Sequence, residues 1–203
     1  MNEKSDFLEI SFDVKTKDTL IWRDQIVMSS TEHDYFFKLF RTLKENNILS
    51  TTVLEIGYGL GISATLIQNV LKPHSHTIVE IDKGVYADML DFSRKHKSIK
   101  PILSDWRSYN FEQNKYDFIF HDSYDYTGEK GWKSTEGFDD YQAFRKLLNP
   151  GGCLCHPHFG NGPIRPVEGF NTTIIKRLGV SPILMWDKSI CDEAAVVIRR
   201  PIA

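Results

Sequence analysis

The chain has 203 residues, 41% of them hydrophobic, which is enough for one well-buried domain and too few for two. Its 25 lysines and arginines nearly balance 27 aspartates and glutamates, for a formal charge of -2 and no basic tract, so neither nucleic acid nor an acidic membrane is an expected partner. No run of about eighteen apolar residues occurs and the start, Met1 to Asp6, has no basic segment leading into an apolar one, so a cytoplasmic protein is expected.

In chain order, the first thirty residues lack a clear period and scatter Phe7, Phe12, Leu20, Ile21 and Trp22 among charges, which reads as an arm folded over the core. Such an arm closes over its own site or over that of a partner in a homodimer, and the two look alike in sequence. Ser29-Ser30-Thr31-Glu32 fits a capping box, followed by an apolar stripe of Tyr35, Phe36, Leu39, Phe40 and Leu43 on a helix to about Asn47. Residues 1–48 thus form a helical arm, and 49–203 the remainder of a single domain.

From there strands and helices alternate: strand 52–56, helix 62–72, strand 77–81, helix 84–95, strand 99–103, strand 116–121, helix 138–148 and strand 152–156. A helix around 168–178 and strands at 183–186 and 194–199 complete the expectation. This order predicts an α/β fold with a mainly parallel sheet covered on both faces, in which ligands bind beyond the carboxyl ends of the strands. The residues at those ends are Gly57 to Gly61, Glu80, Asp105 with Trp106, His121 with Asp122, and His156 to Gly162.

The first of these carries the strongest signal. Val53-Leu54-Glu55-Ile56-Gly57-Tyr58-Gly59-Leu60-Gly61 reads as a buried strand, a turn that needs positive φ, and a helix start whose amides face a ligand. A dinucleotide fingerprint would place its third glycine at Ile62, so pyrophosphate is disfavoured. Glu80 lies about twenty residues further on, the spacing at which an acid grips a ribose.

The E-x-G-x-G-x-G turn, the acid closing the second strand and Asn149-Pro150-Gly151-Gly152 before a late strand together resemble a class I S-adenosylmethionine-dependent methyltransferase, over roughly residues 50 to 200. That resemblance implies a Rossmann-like seven-stranded sheet. Val27-Met28, Glu32, Tyr35, the glycine turn, Glu80, Trp106, Asp122-Ser123-Tyr124, Trp132, Phe144, Leu147 and Pro150 are similar to guanidinoacetate N-methyltransferase and to the fungal enzymes that methylate the delta nitrogen of protein arginine. The resemblance implies that Met28, Gly57, Gly59 and Glu80 contact cofactor, with Glu55, Gly61 and His121 beside them, and that Asp105 and Trp106 flank adenine. It further implies that Glu32 and Asp122 hold a guanidino group, with Asp122 as proton acceptor. Tyr35, Tyr124, His156 and His158 complete the expected substrate site. Free arginine stands slightly ahead of guanidinoacetate as substrate, because Asp125 replaces a proline of the guanidinoacetate enzymes and the Cys155 to Gly162 loop looks closer to the fungal form.

Two carboxylates suit this chemistry. A guanidinium is delocalised, with a pKa above about 12, so one acid fixes the planar fork while the other accepts the proton that must leave for nitrogen to attack. Simpler readings stand beside this one. Glu32 caps its helix, Asp122 caps a turn, and the protein is then an oxygen- or other nitrogen-directed small-molecule methyltransferase, or a cofactor-binding module without catalysis. Cys155, His156 and His158 match no standard zinc spacing, so no metal is expected, and Cys153, Cys155 and Cys191 read as reduced thiols.

Overall fold

A computed structural model describes residues 11–112, 114–122 and 138–202. The chain begins with an antiparallel meander of β1 (Val14–Lys15), β2 (Thr19–Trp22) and β3 (Gln25–Ser29). The expected helical arm is therefore stranded over this stretch and helical only after it. Leu20, Ile26 and Met28 point inward and the intervening residues are more exposed, an alternation hidden in sequence by the turn at Arg23-Asp24, where both residues have positive φ.

A 3₁₀ turn (Ser30–Glu32) leads into α1 (His33–Glu45). The capping box is present: the Ser29 hydroxyl accepts the Thr31 N–H at 3.3 Å, and Glu32 Oε1 accepts the Ser29 N–H at 2.8 Å. Tyr35, Phe36, Leu39, Phe40 and Leu43 are all buried. Phe36 and Phe40 meet Phe120 of the sheet edge-on at 5.9 and 5.2 Å, where aromatic pairs gain energy beyond their buried area. Asn47, with φ 53°, ends the helix, and the Ile48 N–H returns to the Leu43 carbonyl.

The Rossmann-like core follows with β4 (Thr52–Ile56), α2 (Ile62–Leu66) running on into a π turn (Ile67–Leu71), β5 (Ser75–Glu80), α3 (Lys83–Ser93), β6 (Ile99–Leu103), β7 (Tyr116–His121), α4 (Phe138–Leu147) and β8 (Leu148–Cys155). After the short β9 (His158–Phe159), a long hairpin of β10 (Phe170–Leu184) and β11 (Ile190–Pro201) closes the sheet. Among the described residues the sheet is eight-stranded, in the order β10-β11-β8-β7-β4-β5-β6 with β9 against β11. β4 to β8 run parallel, and β11 is antiparallel to both neighbours.

The helix expected at 168–178 is instead the first part of β10, and the strand expected at 183–186 is its end. Thr172-Thr173-Ile174-Ile175 is a β-branched run, stiff at χ1 and suited to a pleated surface; Thr172 to Ile174 pair with Arg199 to Val197 of β11, and Ile175 lies in a bulge.

β7 is buried along its whole length. Phe118 and Phe120 face the α1 side, while Ile119 belongs to a second cluster with Leu54, Leu154, Trp106 and Phe144. Being central, it presents its carboxyl end, and with it Asp122, on a strand held from both sides. The Asp122 N–H donates to the Ile56 carbonyl at 3.1 Å.

Candidate active site

A cavity of about 400 Å³ runs along the carboxyl rim of the sheet, roofed by the meander and the tip of the β10–β11 hairpin. Its size is that of a small-molecule site. One end is bounded by Ser104 to Arg107, the middle by the glycine turn, Glu80 and Asp122, and the far end by Phe159 and Ile183 to Trp186. Roof and hairpin touch directly, the Ile26 N–H donating to the Trp186 carbonyl at 3.3 Å.

Gly57, Gly59 and Gly61 have φ of 88°, 55° and 72°, the left-handed region the sequence demanded. Gly57 and Gly59 line the cavity. A Cβ on Gly61 would collide with the Tyr58 ring, so that glycine serves the turn rather than the ligand. Met28 lies against Gly59, and its thioether accepts the Leu60 N–H at 3.0 Å.

Glu80 is buried under this turn. Its Oε2 accepts from Tyr58 N at 2.8 Å and Gly59 N at 3.4 Å, and its Oε1 from Ile81 N and Asp82 N, both at 2.8 Å. Burial raises its pKa in spite of these four amides. It ties the ends of β4 and β5 together while lining the cavity.

Trp106 stacks on Phe144 at 4.6 Å and carries the Arg107 guanidinium 4.9 Å from its ring centroid. Its Nε1–H is buried with no acceptor among the described residues, an orphan donor at the end where the resemblance puts an adenine. Asp105 lines the same end and accepts the Arg107 N–H at 2.9 Å. The donors, the glycine gap and the cavity volume fit S-adenosylmethionine.

Glu32 and Asp122 both line the middle of the cavity. Burial, then the Asp122 charge, raises the Glu32 carboxyl to about 8 against the pull of the Ser29 amide. Burial, then the Glu55 charge, raises Asp122 to about 7. Repulsion is mutual, so the two titrate as a pair that readily retains a proton between them near neutrality. A cation placed between them would restore both charges.

Three histidines line the same cavity. His121 is edge-on to Trp106 and, mainly through burial, is held neutral with a pKa of about 3. His156 is also held to about 3, by burial and then by Arg199. Its Nδ1–H donates to the Pro157 carbonyl at 2.9 Å, and its Nε2 accepts from Arg199 Nη1. The His158 N–H donates to the Tyr35 hydroxyl at 3.1 Å.

Of the expected site residues, Met28, Glu32, Gly57, Gly59, Glu80, Asp105, Trp106, His121, Asp122, His156 and His158 border one cavity. Glu55, Gly61 and Tyr35 do not. Glu55 turns down into the core toward Ser63 and His76, and Tyr35 supports the β8 exit from behind. Tyr124, with Ser123, Asp125 and Trp132, lies outside the described residues. Sequence reasoning missed Arg199, fully buried behind His156 and 5.2 Å from the Tyr141 ring centroid. The signal was an arginine closing the apolar run Ala194 to Ile198.

The family model of guanidinoacetate N-methyltransferase matches residues 6–161. Among solved structures, the yhhF protein of Escherichia coli superposes with a TM-score of 0.59 at 13% identity, covering 87% of this chain and 91% of that one. Precorrin-6y C5,15-methyltransferase from Geobacter metallireducens gives 0.53 at 11% identity, over 79% of this chain and 86% of that one. The glycopeptide N-methyltransferase MtfA, complexed with sinefungin, gives 0.50 at 13% identity, over 81% of this chain and 70% of that one. At these identities the likeness is one of fold.

Proposed function

The chain belongs to the guanidinoacetate N-methyltransferase family, and from that membership and the paired acids Glu32 and Asp122 we propose that it methylates a guanidino nitrogen of a small molecule, arginine and guanidinoacetate being the first candidates. The cofactor is S-adenosylmethionine, which supplies an electrophilic methyl group on a positively charged sulfur. Gly57, Gly59, Glu80, Asp105 and Trp106 form the part of the cavity that would receive it.

Glu32, fixed by its bond to the Ser29 amide, accepts N–H bonds from the planar guanidinium and holds one nitrogen toward the glycine turn. That nitrogen would receive the methyl group that the bound cofactor supplies, the electrons of the carbon–sulfur bond leaving with sulfur. The nitrogen's proton passes to Asp122, whose raised proton affinity suits a base working near neutral pH. The neutral His121 and His156 add no positive charge to compete with the substrate.

The observation that carries this reading is the two buried acids in one cavity, a costly arrangement unless a cation binds between them. A second reading has its own observation. The intact capping box gives Glu32 a structural role, which is all an oxygen- or other nitrogen-directed methyltransferase would need of it. Mass spectrometry after incubation with S-adenosylmethionine and, separately, arginine, guanidinoacetate and agmatine tests the proposal. Addition of a methyl group to one of them, abolished by Asp122→Asn, is the expected result. No product from any guanidine, with cofactor bound, would favour the second reading.

A further inference from the structure

The middle of the cavity is acidic, but its far end is apolar. Phe159 lines it from β9, Ile183 and Met185 from the end of β10 and the turn that follows, and Trp22 and Ile26 from the meander above. Backbone bonds hold these walls together and against the acids. The Leu184 N–H donates to the Thr31 hydroxyl at 3.0 Å, one residue from Glu32, and the Ile26 N–H donates to the Trp186 carbonyl at 3.3 Å. Phe159 is packed on Tyr35, with ring centroids 4.9 Å apart. The wall thus begins beside Glu32, where Ile183 is buried, and reaches the surface at Trp186, which is 39% exposed.

This end is poorly made for an anion. Among the described residues that line the cavity, the one lysine or arginine is Arg107, over Trp106 at the opposite end. Lys188, in the turn between β10 and β11, is salt-bridged to Asp24 of the meander at 3.0 Å, with both side chains largely exposed. Two amides of the β8 exit that could read a carboxylate are engaged within the fold: His158 N–H by the Tyr35 hydroxyl at 3.1 Å, and Gly160 N–H by the Glu193 carbonyl at 2.7 Å. A carboxylate laid against Phe159, Ile183 and Met185 would lose its hydration without gaining a partner there, whereas methylene groups gain by the same burial.

We propose that the substrate is a guanidine bearing an apolar chain, its guanidinium between Glu32 and Asp122 and its chain along Phe159, Ile183 and Met185 toward Trp186. The proposal rests on the guanidino reading above and narrows it. Arginine and guanidinoacetate have the right head, but each ends in a carboxylate, and guanidinoacetate has little chain to bury.

Calorimetric titration in the presence of S-adenosylhomocysteine tests this without turnover, with ethyl-, propyl-, butyl- and pentylguanidine set against arginine, guanidinoacetate and agmatine. Mass spectrometry follows methylation of the same compounds by S-adenosylmethionine. Affinity is expected to rise about three- to fourfold with each added methylene, and butylguanidine to bind at least about tenfold more tightly than guanidinoacetate. Met185→Lys, which puts an ammonium on the wall, is expected to flatten the alkyl series and turn the preference toward the carboxylate compounds. Equal affinities along the alkyl series, or tighter binding of guanidinoacetate than of butylguanidine, would overturn the proposal. An unchanged ranking in folded Met185→Lys would do the same, because the chain would then lie elsewhere. Failure of the guanidino reading itself looks different: none of the compounds is bound or methylated, although S-adenosylmethionine is bound.

Discussion

The hydroxyl of Tyr35 accepts the main-chain N–H of His158 at 3.1 Å, joining the first helix to the loop that leaves β8. The same hydroxyl donates to the Ala195 carbonyl at 3.3 Å, so one fully buried side chain pins both sides of the cavity floor. Tyr35→Phe keeps the ring packing and removes the hydroxyl that partners two backbone groups, one of them buried. A loss of about 1–3 kcal/mol is expected in urea unfolding. Cofactor affinity measured by calorimetry should stay within a factor of two, because Tyr35 does not line the cavity; a large drop would mean that the β8 exit shapes the cofactor end as well.

How far the sequence spoke depended on how local the controlling physics was. The glycine turn and the Ser29–Glu32 capping box were legible because each is fixed by a few neighbouring residues, by positive φ in one case and by reciprocal side-chain bonds in the other. Tyr35 was misplaced for the opposite reason. Its substrate role was inferred from the family resemblance, whereas its partners are 123 and 160 residues away. The β10 error was one of template: strand-helix alternation outweighed the β-branched run Thr172 to Ile175, although those residues are poor helix formers. Glu55 sits in the cofactor motif yet serves the core, which only the positions of Ser63 and His76 reveal.

The Asn149-Pro150-Gly151-Gly152 turn gives a sharp stability prediction. Gly152 has an ordinary φ, but a Cβ there would stand 2.9 to 3.0 Å from the carbonyl oxygens of Asp117, Asn149 and Tyr116. All three belong to the backbone of the β7–β8 register shift and have little room to yield. Gly152→Ala should cost about 1–3 kcal/mol, whereas Gly151→Ala meets no such crowding and is strained only by its φ of 81°. Comparing the thermal melting of both variants checks this, with β7 and Asp122 expected to lose amide-exchange protection first in Gly152→Ala.

Stability should fall as pH rises across neutrality. Glu32 moves from 4.5 to about 8 on folding and Asp122 from 3.8 to about 7, so the folded state binds these protons more tightly than the unfolded chain. Their favourable contribution is complete below about pH 4 and is lost progressively as pH rises to about 8. Asp117 works the other way: burial pushes it up, but bonds from Asn149 and Thr52 hold it below 3.8, so its contribution disappears in acid. Urea midpoints should peak near pH 4 and decline toward pH 8. Glu32→Gln keeps an acceptor for the Ser29 amide and removes the buried charge, and should flatten the decline on the alkaline side.

Binding of a guanidinium should therefore release a proton. Near pH 7 the Glu32–Asp122 pair of the free protein retains a proton that a bound cation makes unfavourable, since an opposite charge favours the ionised form of each acid. Calorimetric titration of the protein with guanidine substrate, in the presence of S-adenosylhomocysteine, should give heats that depend on the ionisation enthalpy of the buffer. The slope against that enthalpy should correspond to release of up to about one proton at pH 7 and should shrink toward zero at pH 9, where both acids are already ionised. Glu32→Gln should reduce it at pH 7, because Asp122 alone, relieved of its neighbour's charge, retains less of the proton. A slope of zero at pH 7 with measurable binding would mean that the two carboxyls are already charged in the free protein. In that case burial does not hold them protonated, and the site's preference for a cation would have to come from hydrogen-bond geometry alone.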